Sequence, residues 1–211
     1  MPPETALAGL VARIQALPLN PQRRIIAVSG PPASGKSTFA ETLAGALRAQ
    51  GGDASVVPMD GFHLDDRLLN QDGTRARKGA PHTFDVGGFA RLVAALQEPQ
   101  DVIFPFFDRS REIAIAGAGR VPAACQTVLV EGNYLLLNHG QWAGLRAHWS
   151  LSIALHPSPE VLRARLLQRW ETHGKTPTEA EAWIASNDMP NIETVLTGSL
   201  PADITLNEAP I

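Results

Sequence analysis

Cysteine is nearly absent from this chain of 211 residues, with Cys125 standing alone. One thiol excludes an internal disulfide framework and suits a protein kept in a reducing cytoplasm. The ordinary use of such a residue is as a small buried hydrophobe. Long apolar runs are missing as well, so no segment is expected to cross a bilayer. The amino terminus carries Pro2-Pro3 and Glu4 where a secretion signal would have a basic stretch and an apolar core. Neither sign of charge is in excess: 18 Lys and Arg against 21 Asp and Glu leave a formal −3, too little basic character for a nucleic-acid or anionic-membrane partner. The six histidines never fall at H-x-x-x-H spacing, which argues against a histidine-built metal centre. Repeats and low-complexity tracts are lacking too. The remainder, 44% hydrophobic and 18% charged, has the composition of a globular protein, and its length suits one domain spanning residues 1–211.

What the sequence does have is centred on residues 25–38, Ile25-Ile26-Ala27-Val28-Ser29-Gly30-Pro31-Pro32-Ala33-Ser34-Gly35-Lys36-Ser37-Thr38. Gly30, Gly35, Lys36 and Ser37 fit G-x-x-x-x-G-K-S. An apolar run leads in, while Phe39, Leu43, Ala46 and Leu47 lead out at helical spacing. A loop that wraps a polyphosphate with backbone N–H groups needs glycine where side chains would intrude. The helix starting at about Lys36 adds its unpaired N–H groups and positive dipole end. Lys36 is expected to reach the β- and γ-phosphates, and the Ser37 hydroxyl to help hold Mg²⁺. Guanine switches carry N-K-x-D and ABC-type ATPases L-S-G-G; neither occurs here.

Along the chain, residues 4–17 read as an amphipathic helix ended by Pro18, and residues 54–58 as a strand running into Met59-Asp60. Residues 61–85 read as a functional loop with a short helix near 64–69, followed by a helix at about 86–97. Val102-Ile103-Phe104 leads to a strand or hairpin excursion over 105–122. Thr127-Val128-Leu129-Val130, ending at Glu131-Gly132, reads as a central parallel strand, and residues 151–155 as another. Ser158-Pro159-Glu160 opens a helix running to about Glu171, with serine as N-cap and proline in the first turn. Gly174 and Pro177 precede a further helical segment, and residues 203–206 close as a last strand. Alternating strands and helices imply an α/β fold with a parallel sheet covered on both faces. Gly30, Asp60 and Glu131 then fall at the carboxyl ends of strands, where such sheets bind ligands.

Two carboxylates there suit phosphoryl transfer. Glu131 is the candidate Mg²⁺-supporting acid. Asp60 is the candidate base for an acceptor hydroxyl, with Gly61 after it leaving room for substrate. Arg163 has Glu160 three residues back as an ion-pair partner. Arg165 and Arg169, four apart, have no carboxylate at neighbouring helical positions. Like charges stacked this way cost an isolated helix about 0.2–0.5 kcal/mol, which a bound anion reverses. They are read as the phosphate-facing side of a lid over about 163–178, with His173-Gly174-Lys175 at its tip. Residues 75–85 bring Arg75, Arg77 and Lys78 together with His82 and Phe84, either to bind an anionic acceptor or as a solvated turn. Arg109 and Arg111 beside Phe106 and Phe107 suit a wall of an acceptor pocket. His63 either stacks on substrate or packs. Trp142, Trp149 and Trp183 are read as core or edge packing.

With these residues in place, the chain resembles the P-loop kinases that include uridine kinase, phosphoribulokinase and bacterial type I pantothenate kinase. The likeness runs over about residues 23–206. It is carried by residues 30–38, Met59-Asp60-Gly61-Phe62-His63, Arg77-Lys78-Gly79-Ala80-Pro81, Thr83-Phe84-Asp85, residues 105–111, Leu129-Val130-Glu131-Gly132 and Ala202-Asp203. It is most similar to short bacterial proteins described as fructose-transport kinases. The resemblance implies a three-layer fold with sheet order 2-3-1-4-5 and a helical lid. It implies ATP as donor, bound by residues 30–38 with Arg165 and Arg169, and Asp203 passing near the adenine. Asp60 and Lys36 would be catalytic with those two arginines, and Glu131 would lie near Mg²⁺. His63, Arg77, Lys78, His82, Phe84, Arg109 and Arg111 are the acceptor candidates. Uridine kinases carry Asp-Ser-Phe-Tyr where this chain has Asp60-Gly61-Phe62-His63, while its Arg-Lys-Gly-x-Pro and Phe-Asp elements are more like pantothenate kinase. The expected activity is transfer of the γ-phosphate to a hydroxyl of a small metabolite, with a sugar such as fructose first, a nucleoside or pantothenate-like alcohol second, and a nucleotide-dependent binding module as the non-enzyme alternative. A homodimer is compatible with the exposed helix faces.

Overall fold

The computed structural model describes residues 3–19 and 22–207. Five strands form one parallel sheet: β1 (Arg24–Ser29), β2 (Ala54–Pro58), β5 (Thr127–Gly132), β6 (Leu151–Leu155) and β7 (Ile204–Leu206). Their spatial order is β2-β5-β1-β6-β7, which is the expected 2-3-1-4-5 when only these strands are counted. The strands are apolar at nearly every position because both faces are covered. Alternate residues serve opposite layers. Ile25, Ala27, Val128 and Val130 join one core with Phe89, Tyr134 and Trp142, while Ile26, Val28, Leu129 and Ile153 join another with Val11, Ile14, Phe39 and Leu43.

The helices are α1 (Pro3–Gln15), α2 (Lys36–Ala49), α3 (Asp66–Gln71), α4 (Val86–Ala95), α5 (Pro159–Thr172), α6 (Pro177–Trp183) and α7 (Met189–Gly198). Five residues of π-helix, Ile184–Asp188, join α6 to α7. The N-cap expected for α5 is present, with Ser158 Oγ accepting from Val161 N. The 105–122 excursion is an antiparallel hairpin outside the main sheet, of β3 (Val102–Asp108) and β4 (Ile113–Val121). Its register shifts between Phe104 and Phe106 at Pro105, which has no N–H to give the ladder. Two expectations need correction. Gly61 makes room for the chain itself: a Cβ there would lie 2.1 Å from the Pro105 carbonyl oxygen, so this glycine lets β3 dock against the turn that holds Asp60. Arg163 pairs with Glu181 of α6, an across-helix partner, in place of Glu160.

Arg23, 1% exposed, closes the amino end of the sheet. It donates to the carbonyls of Leu96, Glu98, Gln100, Pro122 and Cys125 and so ties its own segment to residues 96–100 and 122–125. Its removal leaves five buried or part-buried carbonyls without this donor, a far larger loss than one exposed contact. Arg23→Leu is expected to lower the unfolding free energy by about 3 kcal/mol or more. Urea denaturation monitored by tryptophan fluorescence measures this.

Candidate active site

The loop between β1 and α2 is shaped by steric limits at three residues. At Gly30 a Cβ would meet Ser34 Oγ at 2.6 Å and the Leu155 carbonyl oxygen at 3.0 Å. Gly35 has φ +85°, and Ala33 takes φ +62°, a left-handed conformation costing a non-glycine residue roughly 1–2 kcal/mol. Arg165 supplies outside support by donating from Nη1 to the carbonyls of Ala33 and Ser34 at 3.3 and 3.2 Å. No side chain caps α2, so its first N–H groups remain available at the loop. Ser34 Oγ is buried without a hydrogen-bond partner.

Beside the loop lies a cavity of about 460 Å³ lined by Pro32, Ala33, Lys36, Asp60, His63, Phe107, Arg109 and Arg169, among others. No ion pair within 4 Å engages Lys36 among the described residues. Burial pushes its ammonium pKa down, opposed by the nearby charges of Glu131 and Asp60. Glu131 is 5% exposed within β5. Burial raises its pKa to about 7, partly offset by Lys36 and by the Ser37 hydroxyl. Asp60 goes the other way. Burial would raise its pKa too, but at the low pH where this carboxyl titrates a protonated His63, with Arg109, Lys36 and Arg169, outweighs burial and holds it below its ordinary value. An ionised carboxylate and a half-buried ammonium thus face one cavity.

The acceptor-side expectations separate. Arg109, at the hairpin turn, binds Asp60 Oδ2 at 2.5 Å, and Asp60 Oδ1 has no partner among the described residues. His63 lies between the rings of Phe84 and Phe107, with centroids at 4.1 and 4.7 Å. Its Nδ1 is 2.7 Å from the Asp60 carbonyl oxygen, which can only accept, so that nitrogen carries the proton and Nε2 is left as acceptor. Burial lowers the His63 pKa and favours this neutral ring. Lys78 lines the cavity but pairs with Asp66 at 2.7 Å and Glu112 at 3.4 Å. Arg77 turns away, donating to the Ser186 carbonyl and Asn191 Oδ1. Arg111 pairs with Asp108 at the exposed hairpin end. Phe84 is core, 4% exposed, and His82 lies in a separate surface groove beside Trp142. Asp203 accepts from Ser152 N and Oγ and from Arg146, so its carboxylate fastens β7 to β6.

The two arginines expected in a lid also divide. Arg169 lines the cavity, stacked 5.2 Å over Trp170, while Arg165 braces the loop. Trp183 was expected as packing. It instead lines the cavity together with Trp170, Lys175, Asn187 and Asp188. Sequence pattern offered no sign of the last two, because a π-helical turn breaks the 3.6-residue spacing by which faces are read.

The parts fit a nucleoside triphosphate with its metal: a half-buried cation at a helix start and a Ser34 hydroxyl without a partner among the described residues suit oxygen ligands, and the Glu131 carboxylate and Ser37 stand near. Among the described residues no cluster of three His, Cys, Asp or Glu side chains is placed to hold a metal unaided. That agrees with an ion held largely by phosphate oxygens.

No family model matches this chain. A Schizosaccharomyces pombe protein named "Putative uridine kinase C227.14" is 34% identical over 197 residues, which cover 89% of this chain and 84% of that protein. The chain belongs to the P-loop kinases of uridine kinase, phosphoribulokinase and pantothenate kinase type. The uncharacterised YggC protein of Escherichia coli is 36% identical over 202 residues, covering 94% of this chain and 83% of that protein. A crystal structure from Silicibacter sp. TM1040, described as a "putative fructose transport system kinase", is 48% identical. It superposes with a TM-score of 0.91 over 98% of this chain and 99% of that one. This P-loop kinase is accordingly an ATP-dependent enzyme that transfers phosphate to a hydroxyl of a small metabolite.

The raised Glu131 pKa has a consequence for stability. Below its ordinary value of 4.5 the carboxyl is protonated in folded and unfolded chains alike. As pH rises toward 7, the unfolded chain loses the proton while the folded one keeps it, so stability falls over that window and the deficit persists above it. Glu131→Gln is therefore expected to stabilise the ligand-free protein at pH 8 by on the order of 1–3 kcal/mol, with little effect at pH 4. Thermal unfolding at the two pH values tests this.

Proposed function

We propose that this kinase transfers the γ-phosphate of ATP to a hydroxyl of a sugar such as fructose, with Mg²⁺. The observation that carries the reading is the single cavity in which the ionised Asp60 carboxylate meets Lys36 and Arg169. Asp60 Oδ1 takes the proton of the acceptor hydroxyl, or orients it, while Arg109 on Oδ2 fixes the carboxylate. His63 Nε2 accepts from a second acceptor hydroxyl. Backbone N–H groups of residues 30–38 hold the phosphates, and Lys36 and Arg169 neutralise charge developing on the transferred group. Mg²⁺, with Ser37 and Glu131 as the residues that would hold it, supplies further positive charge at the phosphate oxygens. Charge there favours the ionised form of Glu131, so Mg²⁺ affinity is expected to increase as pH rises through about 7. Arg165 contributes indirectly by bracing the loop.

A sugar is favoured by the charge pairing on the acceptor side: Arg109, Lys78 and Arg75 all have carboxylate partners, which leaves few cations for a charged acceptor. The name of the Silicibacter structure agrees. A nucleoside is the second reading, favoured by the name of the fission-yeast relative and by the aromatic rings of His63 and Phe107 at the cavity. ADP formation should be measured with fructose, other sugars, nucleosides and pantothenate. Asp60→Asn is expected to reduce acceptor-dependent turnover by at least about 100-fold while ATP affinity changes less than threefold. Turnover close to wild type by that variant removes Asp60 from the reaction.

A further inference from the structure

Lys78 borders the cavity, yet its ammonium is turned into the protein. The side chain is only 7% exposed, and Nζ lies 2.7 Å from Asp66 Oδ1, 3.1 Å from the Glu112 carbonyl oxygen and 3.4 Å from Glu112 Oε2. Its three N–H donors thus have three protein oxygens in reach, which leaves none for a bound molecule. The same ammonium sits 5.3 Å over the ring of Phe107, whose other neighbour is His63. Lysine is ordinarily solvated, and fixing its long stem costs side-chain entropy, so this arrangement calls for a reason.

The stem starts from fixed backbone. Gly79 takes φ +100°, a conformation suited to glycine, and its N–H donates to Thr83 Oγ1 at 2.9 Å. The Gly79 carbonyl accepts from Tyr134 Oη at 2.6 Å, and the Lys78 carbonyl from Asn187 Nδ2 at 3.3 Å. Asp66, in the first turn of α3, is held in turn by Arg75 at 2.7 Å. What Lys78 reaches from this base is the turn between β3 and β4. Asp108 Oδ1 closes that turn on itself by accepting from the Ser110 and Arg111 N–H groups. Among the described residues, two ion pairs join the turn to the body of the protein: Arg109 with Asp60, and Glu112 with Lys78. Glu112 has φ +56°, a left-handed conformation that a residue with a side chain keeps only where its surroundings hold it. The bond from Lys78 to its carbonyl does so.

We infer that Lys78 is a positioning residue for phosphoryl transfer: braced by Asp66, it holds the Glu112 end of the hairpin turn so that Arg109 stays on Asp60 Oδ2 and leaves Oδ1 to the acceptor hydroxyl. This rests on the kinase reading above and adds a part to it. Arg109 is half-exposed, and an exposed ion pair on a loose turn holds weakly, because water competes for both partners. The strut from Lys78 makes the turn rigid and the pair geometrically fixed.

The test compares the wild-type protein with Lys78→Met, which keeps the stem and removes the charge. The Asp66 and Glu112 side chains are 37% and 56% exposed, so water solvates them in the variant and the fold is expected to hold. Hydrogen exchange read by mass spectrometry on the ligand-free protein is expected to speed up at least fivefold in a peptide spanning 105–115, with peptides from β1 and β5 unchanged. With ATP, Mg²⁺ and D-fructose, D-ribose, uridine or pantothenate, kcat is expected to fall at least tenfold while the KM values for acceptor and ATP stay within threefold. Arg109→Met is expected to lose a similar factor, and the double variant to lose no more than threefold beyond the worse single one, since both changes break the same contact. Should Lys78→Met fail to fold, Asp66→Asn, which removes the brace, carries the same measurements. Unchanged exchange over 105–115 overturns the assignment, as do losses that multiply in the double variant. An acceptor KM raised tenfold at unchanged kcat also overturns it, because that marks a direct contact. Should the wild-type protein turn over none of the four acceptors, the kinase reading fails by itself, and the exchange result still decides whether Lys78 holds the turn.

Discussion

Three ionisable side chains share a desolvated corner at the carboxyl edge of the sheet, and the rest of the site answers to them. Lys36 loses hydration on entering α2, and Glu131 loses it on entering β5. Asp60 remains ionised because the positive charges of Arg109, Lys36 and Arg169 surround it. The strand order makes this possible, since β5 lies between β1 and β2 and brings the three ends side by side. Without phosphate the corner is under electrostatic stress, with a half-buried ammonium that no carboxylate among the described residues pairs within 4 Å and a carboxyl raised to about 7. A triphosphate with its cation would relieve both, by placing anionic oxygens at the ammonium and positive charge at the carboxyl.

The same edge explains why the loop tolerates strain. Ala33 is left-handed, Gly30 has no room for a side chain, and Arg165 reaches from α5 to hold two loop carbonyls. One helix therefore reaches both features: Arg165 holds the β1–α2 loop, and Arg169, one turn on, borders the cavity proposed for transfer.

Local chemistry was the legible part. The glycine and lysine pattern, the continuous apolar strands and the capping serine of α5 each state their conformation within a few residues, and the positions of Asp60 and Glu131 followed from strand ends. Contacts across long sequence distances were not legible. Gly61 admits Pro105, Arg163 finds Glu181, and Arg77 fastens Ser186; no spacing rule connects such residues. Trp183 was read as packing because an aromatic at helical spacing ordinarily is. Only the π-helical turn, which periodicity does not register, brings Asn187 into the same cavity.

The residues proposed to bind the donor form a short continuous stretch, whereas the cavity walls proposed to meet the acceptor come from the 59–63 turn, the hairpin and the α6–α7 junction. The central claim is that the cavity couples ATP cleavage to ester formation on a sugar hydroxyl. Phosphorus NMR of the enzyme with ATP, Mg²⁺ and fructose tests it most directly. A sugar phosphate ester is expected to grow in step with ADP while inorganic phosphate stays flat. ADP accompanied by an equal amount of inorganic phosphate, with no ester from fructose or any other hydroxyl compound, would contradict it.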